Sequence, residues 1–369
     1  MSVLSEDRTL AQVRALFPYL GQRTYLDTAS AGLAWAGHGA AVARFFDSVK
    51  SRGYDAADEW RAVGSRVRER LARWLAIRPE SITFLSNTTE ALNLVAHSLR
   101  YAPGDQIVVA ADEFPSVQRV WNPAVRGGAD IVRVPIPSEE QRQDALIAAL
   151  GPRARVLAVS HTHSSTGTTV DLQQLGEHCR RYGTLLVVDG LQAMGAIPVQ
   201  LQHVDVYASS FFKWMLSGFG IAILVTSSRA REAMSPAYQG YANIDDSAQL
   251  QYAHVNYPAL YGLDATLDMF ESFGWDLVYR RVQMLGEHLH QVAREHGLVS
   301  LTPASRRAGI QVFKALRNEA CCAWLSARGV SVAPRGEGVR VSPHFYNTPA
   351  DVERCVTLLA DAIRHFSNQ

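Results

Sequence analysis

At 369 residues, 47% of them hydrophobic, the chain is long enough to bury a large core. At ~100–200 residues per domain it suggests two domains. Lys+Arg 36 against Asp+Glu 35 leave a net charge of +1, which excludes a bulk electrostatic pull toward nucleic acid or anionic lipid and leaves only local anion pockets open. The opening M-S-V-L-S-E-D-R-T-L carries no apolar leader, and no run reaches the ~18 apolar residues of a spanning helix. Cys179, Cys321, Cys322 and Cys355 form no C-x-x-C pair, so the expectation is a cytoplasmic protein with no membrane partner.

In chain order, a helical stretch over Thr9–Leu16 leads into Y-L-D-T-A-S-A-G, small residues around a turn. From Ile82 onward, strand-length apolar runs recur at Ile82–Leu85, Ile107–Ala110, Ile131–Val134, Val156–Ser160, Leu185–Val188, Val206–Ser209 and Ile221–Val225. Most intervals hold helix-period segments such as Ala91–Leu99 and Leu172–Tyr182, which predicts an α/β sandwich with a seven-stranded, mostly parallel sheet covered on both faces. A helical stretch from about Gly262 to His296 follows, with Gly274 and Gly286 as candidate breaks. Strands near Ala308–Leu316 and Val339–Ser342 with helices near Asn318–Arg328 and Ala350–Phe366 then predict a small C-terminal α+β domain. The expected division is an arm over residues 1–35 covering the active site, a large domain over 36–261, connecting helix over 262–296 and a small domain over 297–369.

Chemistry concentrates in T-L-L-V-V-D-G-L-Q-A and D-V-Y-A-S-S-F-F-K-W-M-L. In the first segment an apolar strand stops at Asp189, then glycine, as a buried parallel strand does when its end faces a ligand crevice. In the second, Lys213 lies between Phe211, Phe212 and Trp214, where an apolar setting disfavours the ammonium and frees the amine as a nucleophile. Asp189 alone reads as a turn cap, and Lys213 alone as a surface lysine. The pair past two strand ends is what pyridoxal phosphate needs: a lysine for the imine and an acid to keep the pyridine nitrogen protonated. S-N-T-T-E-A-L-N-L-V-A adds hydroxyls, Thr88 and Thr89, at a helix N-terminus able to take a phosphate. Alone, its plainer reading is an N-cap with Glu90 in the first turn. No G-x-x-x-x-G-K-[ST] is present, so a nucleotide P-loop is excluded.

These segments, with Y-L-D-T-A-S near one end and G-V-R-V-S-P-H-F-Y-N-T near the other, resemble the class V aminotransferase family of fold-type I pyridoxal phosphate enzymes. Cysteine desulfurases, kynureninase and isopenicillin N epimerase belong to that family. The resemblance implies the fold-type I three-layer sandwich, a homodimer, and a small-molecule amino-acid substrate. It makes Lys213 the Schiff-base lysine, Asp189 the pyridinium partner and Gln192 the contact to the phenolic oxygen. Thr88, Thr89 and Ser210 become phosphate ligands, Arg340 the clamp for the α-carboxylate, and Ala29 and Ser30 substrate contacts. Phe114 falls where the desulfurases carry a stacked histidine; an aromatic can stack there but moves no proton. His163, of the pair His161 and His163 in S-H-T-H-S-S-T-G, lines the cofactor pocket in this reading, and no metal is expected because a third ligand is missing. Asn256, with Tyr252 and His254, aligns with a stretch that reaches the neighbouring subunit's phosphate.

Two departures restrict the chemistry. S-V-A-P-R-G-E-G, ahead of Arg340, lacks the desulfurases' loop cysteine, and Cys321 and Cys322 fall inside a helix, so persulfide chemistry is not expected. The usual S-G-H-K reads S-F-F-K, which makes the site more apolar. The expected activity is that of an aminotransferase or β-lyase, with epimerisation as the alternative. A non-catalytic cofactor-binding protein is disfavoured by the retention of Lys213, Asp189 and Arg340.

Overall fold

The computed structural model describes residues 10–244 and 250–367. The seven apolar runs form one sheet: β1 (Ile82–Leu85), β2 (Gln106–Ala110), β3 (Asp130–Val134), β4 (Ala154–Ser160), β5 (Leu185–Asp189), β6 (Val206–Ser210) and β7 (Ala222–Thr226). Their spatial order is β1-β7-β6-β5-β4-β2-β3. Every residue of β5, β6 and β7 is buried, which is why these strands read as continuous apolar runs. β5 alternates all the same: Leu185 and Val187 pack on one layer, Leu186 and Val188 on the other. Helices α1 (His38–Arg52), α2 (Ala57–Trp74), α3 (Thr88–Ser98), α4 (Leu172–Tyr182) and α5 (Tyr257–Phe273) cover the sheet, with α3 on the face opposite α2, α4 and α5.

β7 runs antiparallel to both its neighbours, while the pairs among β2 to β6 are parallel. The connection over residues 211–221 is shorter than the ~12 residues a parallel crossover needs. It turns back through Leu216, Gly218 and Gly220, all at positive φ. This reversal brings Leu85 of β1 and Ser210 of β6 to the same partner, Ala222, so the ends of all three strands meet at one edge.

α6 (Trp275–Glu295) follows α5, and the break is at Gly274 (φ 84°) alone; Gly286 lies inside α6. α5 begins at Tyr257, ahead of the expected Gly262, because Asn256 caps it and Pro258 sits in its first turn. The small domain holds the antiparallel sheet β9-β10-β8, made of β8 (Gln311–Lys314), β9 (Ala333–Arg335) and β10 (Gly338–Val341). Behind it pack α7 (Asn318–Ala327) and α8 (Pro349–Ser367). β9 was not expected from the sequence: it is an edge strand of three residues containing Pro334, too short for any periodicity to show.

Residues 10–15 are helical, and Thr9 of the expected helix lies outside the described residues. Beyond them the arm runs back to the small domain. Thr24–Tyr25 pairs in parallel with Val330–Ser331, and Asp27 bridges Ser342. No helix among the described residues is long and apolar enough to cross a membrane.

Candidate active site

Asp189 is the last residue of β5, in register with Ser160 of β4 and Ala208 of β6. Burial pushes its carboxyl up to about 6, against a hydrogen bond from Leu191 N–H to Oδ1 (3.0 Å) and the charge of Lys213. Oδ2 has no protein donor among the described residues. Three residues past β6, Lys213 hangs between the buried Phe211 and Trp214. Its Nζ lies 5.4 Å from the Phe212 ring centroid. Burial, then the charge of Arg340, pushes the amine down to about 8, with Asp189 opposing. Lys213 has no hydrogen-bonding or ion-pair partner among the described residues. The two groups that the sequence paired are thus desolvated and mutually sensed, with the amine and one carboxylate oxygen left without a protein partner among the described residues.

The arm crosses directly over this lysine. Gly32 N–H donates to Phe212 C=O (2.8 Å), and a Cβ at Gly32 would fall 2.1 Å from the Lys213 carbonyl oxygen, so only glycine fits. Gln192 ties the arm to the lysine's neighbour: Nε2 donates to Ala29 C=O (3.0 Å) and Oε1 accepts from Trp214 Nε1 (3.0 Å). Arg340 is 1% exposed. It donates to Ser30 Oγ (2.6 Å), Ser164 C=O (3.1 Å) and Asp27 Oδ1 (3.4 Å), while its buried Nε is unpartnered. Burial, then Arg335, holds this guanidinium down at about 10. A buried fork with a donor to spare suits a carboxylate.

Where the ends of β1 and β6 meet, Thr88 and Ser210 clasp each other: Thr88 N–H donates to Ser210 Oγ (2.8 Å) and Ser210 N–H to Thr88 Oγ1 (2.9 Å). The plainer N-cap reading holds beside this. Asn87 Oδ1 caps Glu90 N–H (2.9 Å), and the Glu90 carboxylate accepts from Ser86 N–H (2.7 Å). Thr89 is exposed and pairs with Ser116 (2.8 Å). Phe114, 44% exposed, precedes the short helix Pro115–Arg119 just beyond β2. Asn256, besides capping α5, donates to Gly220 C=O (3.1 Å) at the start of the β7 edge. Tyr252 donates to Glu90 (3.3 Å), and His254 N–H to the Tyr241 hydroxyl.

His163 engages both ring nitrogens within the protein. Nε2 lies 3.0 Å from Asp112 C=O and Nδ1 2.8 Å from Thr166 Oγ1. His161 lies just beyond the end of β4 at Ser160, with Nδ1 3.3 Å from the Tyr207 hydroxyl. His163, Asp112 and Glu139 are a metal-ligand set by residue type, yet the Arg142 guanidinium already sits among them as the cation. All four cysteines are free; burial pushes the thiols of Cys179, Cys322 and Cys355 up to about 12 and raises Cys321 as well. None is a ready thiolate.

Sequence reasoning missed Glu113 and Arg335. Glu113 is buried at the end of β2, accepts from Ser160 N–H (2.9 Å) and Oγ (2.6 Å), and its charge raises Asp189. An acid just past a strand end, the signal used for Asp189, was present in A-D-E-F-P. Arg335 acts on both Lys213 and Arg340 from β9, the strand that was not foreseen.

A family model described as aminotransferase class-V matches residues 25–355. The chain belongs to that family. Among its relatives, the isopenicillin N epimerase of Amycolatopsis lactamdurans is 30% identical over 338 residues, 81% of this chain and 84% of that one. The uncharacterized aminotransferase YcbU of Bacillus subtilis is 25% identical, covering 96% of this chain and 98% of its own. Of solved structures, the cystine C–S lyase C-DES with its product cysteine persulfide superposes with a TM-score of 0.87 at 22% identity, over 94% of this chain and 99% of that one, which shows the shared fold. This class-V chain is therefore a pyridoxal phosphate-dependent enzyme. Its residues fit the cofactor: an unpaired, desolvated amine, a buried carboxylate with one oxygen open, and strand-end hydroxyls beside a helix N-terminus.

Proposed function

We propose that this class-V enzyme acts at the Cα of a small amino acid, as an aminotransferase or a β-lyase of the C–S lyase kind. The observation that carries the reading is Lys213, an amine depressed to about 8 with no protein partner, in electrostatic contact with the buried Asp189. When bound, pyridoxal phosphate supplies an aldehyde that condenses with amines and a ring that draws electron density from Cα. Asp189 holds a proton on the ring nitrogen. Lys213, once its amine is free, takes the proton from Cα and can return it elsewhere. Arg340 holds the α-carboxylate, with Ser30 and Ala29 lining the arm side. Thr88, Thr89 and Ser210 receive the phosphate, Gln192 lies toward the phenolic oxygen and Phe114 against the ring. Free cysteines with raised pKa values support a mechanism without persulfide and suit a reducing, cytoplasmic setting.

In this reading residues 36–261 bind the cofactor, 262–296 connect, 297–369 close the site with the arm, and two copies form a homodimer. Exposed Phe46, Val49 and Tyr54 on and just after α1 support the last point. The similarity to isopenicillin N epimerase favours a second reading, epimerisation. Mass spectrometry and chiral analysis of products from an amino-acid panel, with and without 2-oxo acids, separate these. Amino exchange that needs the oxo acid means transamination, release of pyruvate and ammonia means elimination, and inverted Cα without either means epimerisation. An unchanged panel sinks the proposal.

A further inference from the structure

The hairpin that carries Arg340 also carries Arg335. β9 and β10 pair with Ala333 opposite Arg340 and Arg335 opposite Gly338. Paired residues share a face of a sheet and successive residues alternate, so Arg335 and Arg340 are diagonal neighbours on one face, with backbones roughly 7–8 Å apart. Within the hairpin the other two positions on that face are Ala333 and Gly338, a methyl group and a hydrogen, so nothing bulky stands between the guanidinium groups, and β8 adds Val312 and Lys314 on the far side of Arg340. Val339, on the opposite face, belongs to the small domain's core. The shared face is the one from which Arg340 reaches Ser30 and Ser164, the face turned to the arm and Lys213.

The two arginines differ in their partners. Arg340 has Asp27 at 3.4 Å. Arg335 donates only to the carbonyl of its neighbour Pro334 (2.9 Å), and no carboxylate pairs with it among the described residues. Its charge nonetheless acts on both Lys213 and Arg340, in keeping with the face of the hairpin it shares with Arg340. Lys213, Arg340 and Arg335 thus face Asp27, Asp189 and Glu113, the last of which is taken up by Ser160, and a ligand with a single carboxylate on Arg340 leaves Arg335 without a paired acid.

We propose that Arg335 is a second anion anchor, reading a carboxylate on the substrate's side chain, so that the preferred substrate is an acidic α-amino acid of the aspartate or glutamate kind. This rests on the reading above, in which Arg340 takes the α-carboxylate. Arg335 is a specificity residue: it selects the substrate and leaves the proton chemistry to Lys213.

The test compares the holoenzyme with its R335Q and R335K variants on two near-isosteric pairs, aspartate against asparagine and glutamate against glutamine. One charge-assisted contact predicts that the parent favours the acid of at least one pair by about 10–100-fold in kcat/KM. Arg335→Gln should erase that preference through KM and leave the amide partner within about threefold. Arg335→Lys, a point charge, should keep part of it. Maleate, a diacid without an amine, should compete with substrate in the parent and much less in R335Q. A parent without acid preference, or an R335Q that slows acid and amide alike, overturns the second anchor while turnover of the amides keeps the amino-acid reading. If none of the four amino acids shifts the cofactor's absorption while another amino acid of the wider panel does, the acidic substrate class fails and the reading beneath it stands; if no amino acid does, both fail.

Discussion

Two clusters of buried charge lie near the strand ends, and they are built on opposite principles. Around Arg142, 1% exposed, every charge is answered. Its guanidinium meets Asp112 (Nη1–Oδ1 3.1 Å) and Glu139 (Nε–Oε2 3.0 Å), and His163 is hydrogen-bonded through both nitrogens. Against the upward push of burial, hydrogen bonds from Arg142 hold Glu139 down at about 2. Around Lys213 the charges sense one another but are left open: a lone amine, a half-bonded Asp189 and Arg340 with an orphaned Nε. The first cluster is closed to further ligands and fixes loops. The second stores unfavourable desolvation that a bound molecule can relieve, and unpaired buried polarity of this kind marks a functional site.

The contrast can be pressed experimentally. Lys213→Ala should lower turnover by at least ~1000-fold and abolish the mass increment left by borohydride reduction of the holoenzyme; an increment that persists assigns the amine to another lysine. Arg142→Met should strand two carboxylates and cost about 3–5 kcal/mol in urea unfolding while the cofactor band stays in place. If stability is unchanged, the paired cluster is not structural. Arg340→Ala should raise KM about 100-fold with cofactor retention intact, as checked by titration with amino acid; an unchanged KM removes its carboxylate role.

Asp189 offers a subtler probe. Its folded value, raised from 3.8 to about 6, means that the native chain without cofactor holds this proton more tightly than the unfolded one. Stability of the apoprotein should therefore fall as pH rises through that interval, by about 3 kcal/mol at most. Asp189→Asn should flatten the slope and stabilise the apoprotein at neutral pH while weakening cofactor binding. A slope that survives in Asp189→Asn belongs to another group. Smallest of all, replacing the four cysteines should leave kcat/KM nearly unchanged in the folded variant, and a dead but folded protein would restore persulfide chemistry.

The sheet was legible because strands buried on both faces become apolar runs, and all seven were placed within two residues at each end. Lys213 and Asp189 were legible because an acid and an aromatic-flanked cation interrupt such runs. The setting of His163 was not legible because its Nε2 is held by the Asp112 carbonyl, 51 positions earlier in the chain. Glu113 and Arg335 escaped because each matters through non-local neighbours: Glu113 through Ser160 on another strand, Arg335 through a hairpin too short to leave a pattern. The antiparallel turn of β7 shows only in the shortness of its connection.

The arm has a consequence for synthesis. Ala29 N–H is held by Ser342 Oγ, 313 positions later, and Thr24–Tyr25 waits for Val330–Ser331. The lysine-bearing sheet can therefore assemble on the ribosome, with Gly32 already held at Phe212, while Thr24–Tyr25 stays unpaired until almost the last helix has emerged. A nascent chain stalled before the small domain would leave Thr24–Tyr25 without its strand partner and Ala29 N–H without Ser342.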